Sequence, residues 1–144
     1  MIKTILIAFI VHQVSQPEPQ FVSMFHNLNN KQAEELYINT YKNTSIDMDA
    51  YVLALEMKKA QYTILPWRKW TIFSSQKKRL NQLIALYPQN IHLRYVRLVL
   101  QEHSPAFLGY NEHIEEDKNF LLLKINQVDS TDYLDRYIKQ HTSL

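Results

Sequence analysis

One glycine, Gly109, in a chain of 144 residues restricts the fold more than any motif in it. Tight β-turns depend on residues that accept positive φ, glycine above all, and average proteins carry about 7% of it. A chain with so few such points cannot reverse every few residues, as a β-sandwich or barrel requires. Long helices joined by few turns need little glycine. The predicted fold class is therefore all-α, with five or six helices in antiparallel hairpins. The length suffices for one core and is short for two. With 46% hydrophobic and 21% charged residues, wholesale disorder is excluded. The absence of cysteine removes disulfides, thiolate nucleophiles and zinc–thiolate sites.

The first residues bear on compartment. Met1-Ile2-Lys3 is followed by the unbroken apolar run Ile5–Val11, a short polar stretch His12–Ser15, then Pro17 and Pro19. This is the layout of a secretory signal peptide, and the run is too short to span a bilayer. Lys3 is the sole charged side chain in it and no A-x-A precedes the cut, so the competing reading is a buried N-terminal strand or helical turn. We expect residues 1–15 to be a signal peptide, residues 20–141 to form a single helical domain, and the protein to be periplasmic or secreted.

From Gln20 onward apolar residues recur at helical spacing. A short helix is expected over Phe21–Leu28 and a longer one over Lys31–Lys42, with Ala33, Leu36, Tyr37, Thr40 and Tyr41 on one face. Asp47 or Asp49 can cap the next helix, which should run to about Leu65 with Met48, Tyr51, Val52, Leu55 and Tyr62 inward and Pro66 stopping or kinking it. A third covers about Trp70 to Leu86, burying Phe73, Leu80, Leu83, Ile84 and Tyr87, and Pro88 ends it. Asn90 should cap a fourth, to about Glu102, that is apolar almost all round, leaving Arg94, Arg97 and Gln101 as its one polar stripe. Such a helix is normally the central one. Gly109 suits a turn with positive φ, and Asn111 can cap a fifth helix that buries Ile114, Leu121, Ile125 and Val128. Its early acids Glu112, Glu115, Glu116 and Asp117 sit where the helix dipole favours negative charge. Ser130 can cap a last helix carrying Leu134, Tyr137 and Ile138.

The stretch Phe73-x-x-Gln76-x-x-x-Leu80-x-x-Leu83-Ile84-x-x-x-Pro88-x-Asn90 resembles the second helix and exit turn of a tetratricopeptide repeat. The resemblance is partial. Pro66 and Trp67 fall where that repeat has an uninterrupted first helix, and no second copy follows at its period of about 34 residues. The apolar N-terminus, the Pro88-Gln89-Asn90 turn and Pro105-Ala106-Phe107-Leu108-Gly109-Tyr110 together resemble an uncharacterised family of small exported all-helical bacterial proteins. That resemblance implies fold and export, and no activity.

Charge is divided along the chain. Between Lys58 and Arg97 there are nine basic side chains and no acidic one, while the remainder carries seven basic and 14 acidic residues. Trp67, Arg68, Lys69, Trp70, Lys77, Lys78 and Arg79 form a basic, aromatic-flanked face suited to an anionic partner. The expected function is a non-enzymatic binding or scaffold module contacting a protein or other anionic partner through that face. The alternative is a peripheral binder of anionic membrane, with indoles at headgroup depth. Nucleic acid is disfavoured by export and by the lack of any helix-turn-helix or RNA-binding signature. An internal reading competes with both: Arg94 and Arg97 can pair with Glu115, Glu116 or Asp117 across a helical hairpin.

A small metal protein or hydrolase built on the His103–Glu116 region is a second alternative. His113-x-x-Glu116 and Glu112-x-x-Glu115, with His92 and His103 on the preceding helix, offer ligand types, but H-E-x-x-H and paired E-x-x-H motifs are missing. Ser74, Ser75 and Ser104 lack a G-x-S-x-G elbow. No metal, cofactor or catalytic residue is therefore assigned, and oligomeric state is not legible.

Overall fold

A computed structural model describes residues 16–144; the apolar run Ile5–Val11 and its signal-peptide reading lie outside the described residues. The all-α expectation holds, with seven α-helices among those residues rather than five or six: α1 (Gln20–His26), α2 (Lys31–Tyr41), α3 (Ile46–Lys58), α4 (Pro66–Leu86), α5 (Ile91–His103), α6 (Ile114–Ile125) and α7 (Asp135–His141). Short 3₁₀ turns at Lys59–Tyr62, Ala106–Leu108 and Asp132–Leu134 join them. No helix of the described residues is long and apolar enough to cross a membrane.

Side-chain caps fix several starts. Asn30 accepts from the Ala33 N–H at 2.8 Å, and Asn90 from that of Leu93 at 3.0 Å. The α3 cap is Ser45, which accepts from Met48 N–H at 3.2 Å, and not Asp47 or Asp49. Those two acids lie within the first turn, and Asp49 reaches back to accept the N–H of Asn43 at 2.8 Å. Asn43 is held at φ +59°, a region open to asparagine. Pro66 starts α4 instead of ending α3: at N1 its missing N–H costs nothing and its fixed φ already suits a helix. Neither Asn111 nor Ser130 caps a helix. The His113 N–H, just ahead of α6, is taken by Gln101 Oε1 at 2.8 Å, and Asp129 accepts the Thr131 N–H at 2.7 Å ahead of α7.

Pair contacts give the topology. Met57 clusters with Phe73 and Asp49 approaches Arg79, so α3 and α4 are antiparallel. Gln101 meets His113 and Arg97 meets Asp117, so α5 and α6 are antiparallel too. Asp47 bonds Asn90 and Tyr51 bonds His92, which lays α3 parallel to α5. Eight consecutive residues of α5, Ile91–Leu98, are buried, as its nearly all-round apolarity predicts. Around it close Val22, Tyr37, Leu53, Leu80, Leu121 and Ile138. Leu36, Tyr62, Tyr87 and Val128, expected inside, are exposed. Leu36 lies on an edge helix that buries Tyr37 and Ile38 instead; the other three lie beyond a helix end, where the 3.6-residue period no longer holds.

Gly109 closes the 3₁₀ turn after α5 at φ +59° and ψ +26°, its N–H donating to Ala106 C=O at 3.0 Å. A Cβ there would meet nothing within 4 Å, so only backbone strain opposes a side chain. Gly109→Ala is expected to cost about 1 kcal/mol and Gly109→Asn less, read from urea midpoints. Equal loss in both variants would indicate a packing role that the open surroundings do not suggest.

Candidate functional site

Most of the basic segment is neutralised within the molecule. Lys58 pairs with Glu34, Lys59 with Glu56 at 2.9 Å, and Lys77 with Glu112 at 3.0 Å. Lys77 also lies over the Tyr110 ring, 5.0 Å from its centroid. Arg79 is 4.0 Å from Asp49. Of the expected docking face, Lys77 and Arg79 are thus engaged internally. Arg68, Lys69 and Lys78 have no ion-pair partner among the described residues.

Arg94 and Arg97 turn into the α5–α6 interface. Asp117 is fully buried and accepts from Arg94 Nη1 at 3.0 Å, Arg97 Nε at 2.6 Å, Arg97 Nη2 at 2.7 Å and Gln101 Nε2 at 3.4 Å. Glu116 completes the set through Arg94, whose hydrogen bond holds the Glu116 carboxyl below the usual range. Glu115 takes no part: two residues carry it about 200° round the helix from Asp117, onto the far side. This polar stripe is structural, since four donors converge on one buried acceptor group.

Free charge and exposed apolar surface coincide at the start of α4. Phe73, Leu80 and Ile84 bury one side of that helix, while Trp67, Trp70, Thr71, Ser74 and Lys78 recur at three/four spacing along a stripe flanking it. Trp67 is 65% exposed, Trp70 57%, and Ile64 just before the helix 90%. Arg68 and Lys69 stand between the two indoles. The antiparallel order brings the start of α4 to the same end as the C-terminal ends of α3 and α5, where Met57, Phe73, Leu108 and Tyr110 pack together. Phe107, 87% exposed, lies in the loop at that end.

A pocket of about 480 Å³ opens at this end too, between α1, α3 and α5. No signal in the sequence pointed to it, since its walls come from residues that also read as ordinary core faces.

The remaining candidate ligands are dispersed. His92 is buried, its Nδ1 2.8 Å from the Tyr51 hydroxyl and its Nε2 3.0 Å from that of Tyr133. Burial lowers its pKa to about 4, with Asp47 pulling weakly the other way. His103 Nδ1 lies 2.8 Å from the Val99 carbonyl and His113 Nδ1 3.0 Å from Glu116. His26 stacks on Tyr137 with centroids 3.8 Å apart, and burial lowers its pKa. Among the described residues no three metal-ligating side chains converge. The serines at 74, 75 and 104 spend their hydroxyls on helix carbonyls. Compared with protein-family models, with curated proteins and with solved structures, the chain has no match.

Proposed function

We propose that this protein is a non-enzymatic binding module that docks on an anionic membrane surface through the end of the bundle formed by Ile64, Trp67, Arg68, Lys69 and Trp70. One observation carries the reading: the cations left unpaired at this end, Arg68 and Lys69, are flanked in sequence by large apolar side chains that stand exposed. Indoles settle at headgroup depth, and each Lys or Arg near an anionic surface adds about 1 kcal/mol. A role outside the cytoplasm rests on residues 1–15 alone. The stacked hairpins α3–α4 and α5–α6 support a scaffold reading of tetratricopeptide-repeat type.

Sedimentation with phosphatidylglycerol-containing vesicles tests this. Binding is expected to weaken steeply with salt and to drop about tenfold or more in the Trp67→Ala/Trp70→Ala variant. Unchanged vesicle binding in that variant removes the proposal. Absence of vesicle binding, together with capture by an acidic protein that survives moderate salt, replaces the membrane with a protein partner on the same face.

A further inference from the structure

We infer that the pocket between α1, α3 and α5 is a binding site for a single-chain fatty carboxylate. Its volume, about 480 Å³, falls in the range of small-molecule sites, roughly 300–1,000 Å³. The interior is formed by Phe25, Leu55, Phe73, Val96, Val99 and Leu100. Aliphatic and aromatic walls, whose one buried charged residue, Glu34, is paired with Lys58, suit a flexible hydrocarbon chain better than a sugar, nucleotide or peptide backbone.

Apart from Glu34 and Tyr95, whose hydroxyl is taken up by His26 at 2.8 Å, the polar lining stands at the mouth. The exposed lining residues Lys58, Gln61, His103 and Pro105 stand at the C-terminal ends of α3 and α5. Glu34 also borders the pocket, but both its oxygens are engaged, one by the Lys58 ammonium and the other by the Tyr62 hydroxyl at 2.9 Å. Lys58 keeps two further N–H donors on a side chain 46% exposed. At His103 the Val99 carbonyl can only accept, so Nδ1 carries the proton of that hydrogen bond. The ammonium at the rim of an apolar pocket is complementary to a carboxylate whose chain runs inward. This assignment does not depend on the docking reading: it uses none of Ile64, Trp67, Arg68, Lys69 and Trp70.

Titration of the full chain with the fluorescent fatty acid cis-parinarate tests it. The expected result is saturable enhancement at one site per chain, with slowed amide hydrogen exchange over Met57–Gln61 and Leu100–Leu108. Val99→Trp, which fills the pocket, should weaken binding about tenfold or more while retaining a cooperative melt. The methyl ester of the probe should bind about two- to fivefold more weakly than the acid, and Lys58→Gln should abolish that difference. Trp67→Ala/Trp70→Ala should leave parinarate affinity unchanged, so loss of vesicle docking and loss of chain binding read out separately. Non-saturable enhancement, or exchange protection elsewhere than at the pocket, overturns the site. Equal affinity of acid and ester overturns the carboxylate.

Discussion

Asp117→Ala is expected to lower the unfolding free energy by about 3–5 kcal/mol, a large part of the total stability of a domain this size. The carboxylate is completely buried and takes four donors from α5. Removing it leaves the Arg97 guanidinium in the interior, with Asn81 at 3.2 Å and Glu116 at 3.6 Å as its nearest partners. The loss is thus mainly the cost of an uncompensated buried cation, not the strength of one contact. Asp117→Asn, which keeps an acceptor without its charge, should cost about half as much. A triple variant with Met at 94 and 97 and Leu at 117 should recover most of the loss, because a well-packed apolar set of similar volume escapes desolvation altogether. Urea unfolding at neutral pH reads all three. If Asp117→Ala moves the midpoint no more than a surface substitution does, the network contributes nothing of this kind.

Stability should also fall on mild acidification, and His92 should account for much of the fall. The folded chain keeps this imidazole neutral down to about pH 4, whereas its ordinary pKa is 6.5. Between those values the unfolded chain binds more protons than the folded one, so stability decreases as pH falls through that window. The contribution of His92 is constant above it and exhausted below it. The difference corresponds to about 3 kcal/mol in all. Two tyrosine hydroxyls enclose the ring, and protonating both nitrogens would deprive one hydroxyl of the acceptor it donates to. His26, also lowered by burial, adds a slope of the same sign. The comparison with His92→Gln therefore isolates the His92 share: the variant's stability should vary less between pH 6.5 and 4. Parallel profiles for the two proteins would exclude His92 as the titrating group.

The helical course of the chain was legible because helices write their period into local sequence. Asn90 was readable as a cap, α5 as the central helix, and Arg94 and Arg97 as partners of the acids at the start of α6, since the arginines recur at helical spacing and the two helices follow one another in the chain. What escaped was non-local. Lys77 and Arg79 look free in a segment without acids, yet Glu112 reaches the one from the turn ahead of α6 and Asp49 the other from α3. Tyr51, His92 and Tyr133 come from three separate elements and share no pattern. The pocket is a mismatch of packed surfaces, and hydrophobic periodicity does not distinguish an inward face that touches its neighbour from one that falls short. Ser45 rather than Asp47 or Asp49 caps α3 because two acids and a serine compete within one turn, and only the path of the preceding loop decides among them.

The convergence of Arg94, Arg97 and Gln101 on one carboxylate has an evolutionary corollary. A substitution at any single one of these positions strands a buried charge or a buried donor, so the routes by which drift could alter them one at a time are steep. Related chains should carry the four residues as an inherited block, or have replaced the block with apolar side chains, and intermediate combinations should be rare.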